Sequence, residues 1–411
     1  MSKIAMFTMG TRGDVQPYIF LSKQLIKCNH DVILGSHPCW RKLIEESGIK
    51  FEPIGPDIDI EKEAAIIRGR NSNPMLSMMK TMNFVFRIIQ NSSEEVYKVC
   101  EGKDLIIVSH SQMGLTEAEV LGIPTVNVTL QKEMIGEPLK PRTFIENAFG
   151  KMLAKQMAKP YNKIRKKYGL KSVKSLDEIM SKDLNIIPMS KYVVEKSPYW
   201  EEHVVLSGYW YDEDTNYVPD KSLVEFIEAG EKPVILALGA MSFEDQSEKE
   251  KLDMFVRAFE KTGCRAIIQG FQKTLSDYEL PETMIACGSV PHSWLFSNAK
   301  FVIHHCGFGT SAATMIYGVP SIPVPHILDQ LGFAMQLNNV GVATAPLKSK
   351  DLSEQTIIDS IEEMHRTYDI MKQNALSVSE KIKAENGTAE AVRLIEKVID
   401  KYKILINLLI E

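Results

Sequence analysis

The stretch from Lys300 to Thr310 constrains the fold of this 411-residue chain more than any other. Lys300 to His305 is a short run rich in branched apolar residues, the pattern of a parallel strand covered on both faces. Gly307 and Gly309 follow, and they permit a sharp turn that leaves backbone amides unshielded. The pattern then predicts a helix over Thr310 to Tyr317. Its first amides have no partner inside the helix, and its dipole favours an anion there. His305 beside that end can donate to a phosphate oxygen, or it can be an ordinary core histidine. A second strand-like run, Ser321 to Val324, leads to Asp329 and Gln330 at the next helix start. Open α/β sheets bind ligands beyond such strand ends. A carboxylate with an amide suits the hydroxyls of a polyol. The commonplace alternative is an N-cap aspartate followed by a solvent-facing glutamine.

The amino-terminal region has the same grammar. Lys3 to Thr8 reads as a strand, Gly10 to Asp14 as a loop, and Val15 to Cys28 as a helix with Val15, Ile19, Leu21, Leu25 and Ile26 near helical spacing. Gly10 and Gly13 do not complete the three-glycine dinucleotide fingerprint. Asp14 lies at the strand-to-helix turn, where a carboxylate can take a proton from an attacking hydroxyl. It can equally cap the helix, and the two roles are compatible.

Further strand candidates are Asp31 to Ser36, Phe51 to Gly55, Asp104 to His110 and Thr125 to Leu130 in the first half. Val234 to Leu238, Arg265 to Gln269 and Met284 to Gly288 join the two runs already named in the second. Strands alternating with helical stretches argue for an α/β fold with covered parallel sheets. A polar, acidic stretch from Tyr211 to Pro219 marks the boundary. The net charge of −5 gives no case for nucleic acid as a main partner, and six scattered cysteines form no disulfide framework, which suits a reducing cytosol. No secretory signal precedes the first strand and no run is long and apolar enough to span a bilayer, so a cytoplasmic protein is expected. The acidic triplets Asp57-Ile58-Asp59 and Asp212-Glu213-Asp214 read as solvated loops, and no metal site is expected.

Four segments carry a family resemblance: Gly10-Thr11-Arg12-Gly13-Asp14-Val15-Gln16-Pro17-Tyr18, Val290-Pro291-His292-Ser293-Trp294-Leu295-Phe296, His304 to Thr310, and Gly318-Val319-Pro320 through Asp329-Gln330. In this order they resemble the inverting GT-B glycosyltransferases, most of all the sterol glucosyltransferases and the bacterial glycosyltransferases of glycopeptide and macrolide antibiotics. The resemblance implies two Rossmann-like domains whose parallel sheets face across a cleft. Residues 1–212 would bind the acceptor and 213–387 the nucleotide-sugar donor, with a C-terminal helix, 388–411, crossing back to the first domain. It implies metal-independent transfer of a hexose, glucose first among them, from a UDP-sugar to a hydroxyl of a small lipophilic acceptor. The UDP-sugar is a co-substrate, and no cofactor is implied. Asp14 matches the general base. His305, Gly307, Gly309 and Thr310 match the diphosphate turn, Asp329 and Gln330 the sugar pair, and Ser289 and Val290 the base-binding position. Gly13 and Ala240 match further donor contacts. An epimerase of related fold, or a silent nucleotide-binding protein, are the alternatives.

Three residues depart from the family pattern. Ala240 stands where a serine is usual, Cys306 where a glycine is common, and Ser289 where plant relatives stack a tryptophan on the uracil. Asn73 to Gln90 is rich in methionine and other apolar residues, and lies where the family builds its acceptor pocket. Met75, Met79, Met82 and Phe86, with His110, are therefore candidate acceptor contacts, with helix core as the alternative. Lys151 to Lys174 carries nine basic and no acidic residues. A solvated helix with Leu153, Met157 and Ile164 facing inward is preferred there over a membrane contact.

Overall fold

Strands form where branched apolar residues run together, and Val234–Ala237, Ala266–Gln269 and Met284–Cys287 each run directly into a glycine-bearing turn. The computed structural model describes residues 1–58, 63, 74–212, 217–239 and 248–410. The chain divides into two units. Met1–Lys191, Glu195–Tyr211 and Glu385–Glu411 make the first, and Tyr192–Val194 with Asp212–Ala384 the second.

The first unit holds a seven-stranded sheet: β1 (Lys3–Phe7), β2 (Asp31–Ser36), β3 (Lys50–Pro53), β4 (Leu105–Val108), β5 (Thr125–Val128), β6 (Asn185–Ile187) and β7 (Val204–Leu206). Its order is β3-β2-β1-β4-β5-β6-β7, with every pair parallel. The helices are α1 (Arg12–Lys27), α2 (Arg41–Glu46), α3 (Pro74–Asn91), α4 (Ser93–Cys100), α5 (Leu115–Leu121) and α6 (Phe144–Lys167). Ala5 and Phe7 of β1 join Ile106 and Val108 of β4 in a core covered by Ile88, Ile89 and Tyr161. Phe7 sits in a slot cut by glycines. A Cβ would lie 2.7 Å from its ring at Gly35 and 2.6 Å at Gly114.

The second unit holds a five-stranded sheet: β8 (Val234–Ala237), β9 (Ala266–Gln269), β10 (Met284–Cys287), β11 (Val302–His304) and β12 (Ser321–Pro323). The order is β10-β9-β8-β11-β12, again all parallel. Its helices are α7 (Lys221–Glu228), α8 (Glu248–Thr262), α9 (Gln272–Leu275), α10 (His292–Ser297), α11 (Phe308–Ile316), α12 (Leu328–Asn339) and α13 (Glu354–Glu385). In both sheets the order reverses direction once: between β1 and β4 in the first, and between β8 and β11 in the second. Such switch points open a crevice beyond the strand ends, because the flanking crossovers run to opposite faces.

The last helix, α14 (Gly387–Ile410), belongs to the first unit and packs on α1. The Tyr402 hydroxyl donates to Asp183 at 2.7 Å, Lys401 pairs with the same carboxylate, and His30 meets Glu396 at 3.3 Å. Its first residue lies directly on Gly208, where a Cβ at Gly387 would stand 2.4 Å from the Gly208 carbonyl carbon.

Strands are shorter than the sequence pattern suggests, because the runs continue into turns: β4 ends at Val108 and β11 begins at Val302. Strands β6 and β7 are not among the expected elements, since three residues give no readable period. Arg12 to Asp14, expected as loop, forms the first turn of α1. We expect Gly387→Ala to destabilise the first unit by about 1–3 kcal/mol, since backbone atoms cannot give way as a side chain can. Urea denaturation would measure it, and an unchanged midpoint would contradict the packing.

Candidate active site

At the switch point of the second sheet, β11 ends in His304 and the chain turns through His305, Cys306 and Gly307 into α11. Cys306 lies in the left-handed region, φ 64°, which explains why glycine suits this position. Its amide donates to His304 Nδ1 at 3.1 Å, which helps hold the strained turn. The His305 ring is walled by two glycines. A Cβ at Gly239, after β8, would lie 2.9 Å from Cε1, and one at Gly307 would lie 2.6 Å from Nε2. His305 Nδ1 is 3.3 Å from the Ala237 carbonyl, which can only accept. Nδ1 therefore carries hydrogen, and Nε2 is the pole left to meet a ligand. Nε2 has no hydrogen-bond partner among the described residues. Gly307 is the N-cap of α11, and the amides of Gly309 and Thr310 in its first turn have no acceptor among the described residues. No side chain shields Gly309, since a Cβ there would meet nothing within 4 Å. Donors and dipole thus converge beside an imidazole, an arrangement that fits a phosphate.

Asp329 and Gln330 begin α12, but not as the sequence suggests. Ile327 is the N-cap, and Gln330, 3% exposed, turns inward. Its Oε1 accepts from the His326 amide at 2.8 Å and from that of Ile327 at 3.4 Å. Gln330 is therefore not solvent-facing, and its carbonyl is engaged in the cap. Its amide nitrogen alone remains for a ligand. Asp329 is partly buried in the same turn. Ser289 is exposed after β10, and Val290 is buried beneath it in the apolar cluster with Leu295 and Phe296. Gln269 holds this loop by donating to the Gly288 carbonyl at 3.1 Å. Ala240 lies outside the described residues.

His326 is a residue that motif reading passes over. Both ring nitrogens are buried and unpartnered among the described residues. Burial pushes it down to about 3, and the ammonium of Lys251 and then His305 add to this. Lys251, on α8, is itself fully buried. Position was the available sign: His326 lies between the strand end and Asp329.

In the first unit, the switch point lies between β1 and β4, and Asp14 follows β1. Thr11 donates to Asp14 Oδ2 from its amide at 2.8 Å and from Oγ1 at 3.1 Å. The carboxylate lies over Gly10, φ 131°, where a Cβ would stand 2.3 Å from Oδ2. Both capping bonds use Oδ2, and Oδ1 has no hydrogen-bond partner among the described residues. One oxygen caps while the other stays available, so capping does not use up the carboxylate. The Trp40 indole donates to the Gly10 carbonyl at 3.1 Å and fixes the loop. Burial, and then the Asp14 charge, raise the Tyr18 hydroxyl. Gly13 is exposed in the first turn of α1. His110 follows β4 beside Ser109 and Ser111, whose hydroxyls share a 2.8 Å hydrogen bond.

The acceptor candidates on α3 separate. Met79 is half exposed and Met82 partly so, while Phe86 packs edge-to-face on Tyr161 at 6.2 Å within the core. The side chain of Met75 lies outside the described residues. In α6, Ile164 is buried, but Leu153 is 51% exposed and does not face inward as expected. Of the acidic triplets, Asp59, Glu213 and Asp214 lie outside the described residues. Among the described residues, no group of three or more His, Cys, Asp or Glu side chains could hold a metal ion.

Comparison with known proteins agrees with this architecture. Residues 4–113 match the glycosyltransferase family 28 N-terminal domain, and residues 266–398 match the erythromycin biosynthesis protein CIII-like C-terminal domain. The solved structure of the glycosyltransferase VinC in complex with dTDP superposes with a TM-score of 0.71 at 20% identity, covering 96% of this chain and 100% of that one. Sheets, turns and domain matches together define the class: the chain has the GT-B fold, and over residues 4–113 and 266–398 it is similar to glycosyltransferase domains. Within it, the chain is 29% identical to a sterol 3-beta-glucosyltransferase of Saccharomyces cerevisiae, over 96% of its own length and 35% of the relative's. It is 28% identical to one of Arabidopsis thaliana, over 95% of its length and 64% of the relative's. The chain thus spans from about a third to just under two thirds of these two relatives.

Burial also pushes His304 down to about 3 and His37 down to about 4. The native state keeps both neutral, while the unfolded chain protonates near 6.5. Their contribution is complete above about pH 6.5 and is lost as pH falls toward the folded values. Each should remove about 1.4 kcal/mol of stability per pH unit below 6.5. Denaturant midpoints at pH 7.5, 6 and 5 should fall in that order, with a shallower fall in His304→Gln.

Proposed function

We propose that the chain transfers glucose, with inversion, from UDP-glucose to the hydroxyl of a lipophilic, sterol-like alcohol. The observation that carries this reading is the turn from His305 to Thr310, where an imidazole pole and two unclaimed amides surround a space that suits a diphosphate. The sterol 3-beta-glucosyltransferase relatives favour a sterol-like alcohol over a phenol or a macrolide. VinC was solved with dTDP, so a thymidine donor belongs in the same screen.

The chemistry is a single displacement. Asp14, through Oδ1, takes the proton of the acceptor hydroxyl as its oxygen bonds to the anomeric carbon. The bond from that carbon to the diphosphate oxygen breaks, and the electron pair leaves with the nucleotide. His305 and the amides of Gly309 and Thr310 take up the growing charge, as preorganised donors do. Attack from the face opposite the leaving group converts an α-linked donor to a β-glycoside. Asp329 and the amide nitrogen of Gln330 hold sugar hydroxyls.

Replacing Asp14 with Asn should lower transfer by at least about a hundredfold, the usual scale for a lost general base, and leave UDP affinity nearly unchanged. His305→Ala should weaken both. Transfer to a sterol, read by mass spectrometry of the glycoside, tests the pair. Retained transfer in Asp14→Asn would remove the base assignment.

The fixed Nδ1–H of His305 has a further consequence. A neutral ring presents a lone pair at Nε2, so donating to a phosphate oxygen requires the imidazolium. Burial lowers the free ring, and a bound anion raises it. UDP binding above pH 7 should therefore take up close to one proton and weaken as pH rises. Calorimetry in buffers of different ionisation heat measures this, and His305→Gln should abolish the uptake.

A further inference from the structure

We propose that the amino-terminal half of α6 docks on an anionic lipid surface, with the helix lying parallel to it. Residues 141–153 are exposed throughout, so three turns of helix stand clear of the rest of the chain. They carry large apolar groups that no packing explains. Phe144 is 88% exposed, Ile145 79%, Phe149 62%, Met152 55% and Leu153 51%. At about 100° per residue, Met152, Ile145, Phe149 and Leu153 fall on one stripe of roughly that width. Lys151, Lys155 and Lys159 line one flank of it. None of the three has a carboxylate partner among the described residues. Between Glu146 and Asp177 the sequence holds no acidic residue. Glu146 itself is engaged in the cap of α6, accepting from the Thr143 amide at 2.7 Å and hydroxyl at 2.8 Å.

A contiguous exposed apolar patch marks an interaction surface. The adjoining row of lysines selects the partner. An apolar stripe bordered by ammonium groups that have no carboxylate partner among the described residues matches the boundary between acyl chains and anionic headgroups. A second copy of the chain would bring its own lysines against these, which repel. No described helix is long and apolar enough to cross a membrane, so the contact is interfacial. This departs from the preference for a solvated helix, and Leu153, expected to face inward but exposed, is the residue that argues for the change. The inference stands apart from the transfer reaction.

Co-sedimentation of the full chain with phosphatidylcholine vesicles, and with mixed phosphatidylcholine–phosphatidylserine vesicles, tests the proposal. Partition should favour the mixed vesicles by about tenfold or more at low salt and fall as salt rises. Ile145→Glu with Phe149→Glu, and separately Lys151→Glu with Lys155→Glu, should each lower it about tenfold. Melting temperature and UDP affinity should not move, since these side chains are solvent-exposed and lie outside the donor unit. Equal partition on both vesicle types, or binding indifferent to either pair, would overturn it. So would a dimer in light scattering that Ile145→Glu with Phe149→Glu converts to monomer without vesicle binding, which would assign the stripe to a second copy.

Discussion

The space around the His305 ring is the constraint on which the second unit's chemistry depends. A single methyl on Gly239 or Gly307 would collide with the imidazole, and the Ala237 carbonyl decides which nitrogen is presented. Two strand ends, β8 and β11, and the turn into α11 thereby fix one ring through backbone and glycines. The first unit repeats the device with Phe7 between Gly35 and Gly114. There the ring is structural, and it anchors β1, the strand that precedes Asp14. Glycine acts in both units less by freeing the backbone than by leaving room for an aromatic face.

Much of this was legible in the sequence. Period and composition located ten of the strands, because β1, β8 and β11 are short apolar runs closed by turn residues. The turn from His305 to Gly309 was legible because its glycines follow a strand directly. What resisted reading was local competition for hydrogen bonds. Arg12 to Asp14 looks like loop, yet Thr11 and Asp14 form a reciprocal cap three residues apart, a pattern visible in advance. Gln330 looks like a solvent-facing partner to Asp329, yet its carbonyl is held by the His326 amide. Leu153 looks like a core position, but nothing in a single sequence says which stretch of an amphipathic helix has a neighbour to pack against. His326 and Lys251 were hidden for a different reason: their interest comes from burial beside each other, and their sequence separation conceals it.

The two units divide the labour by kind of group. The second gathers backbone amides, the His305 ring, which donates at Nε2 once protonated, and the buried Lys251. The first offers an acceptor, the Asp14 carboxylate, steadied through one oxygen by Thr11. The proposed transfer moves a proton one way and an electron pair the other, and on that reading each unit's switch point supplies one of the two kinds of group.

The docking of Gly387 on Gly208 has a consequence for biogenesis. The first unit is discontinuous: about 170 residues of another unit intervene before α14 can cover α1. On the ribosome, the amino-terminal sheet must wait with one helix uncovered while the intervening region is made and can fold. Order of synthesis and order of completion therefore run in opposite directions in this chain. A chaperone that shields the bare flank of α1 would act within that interval.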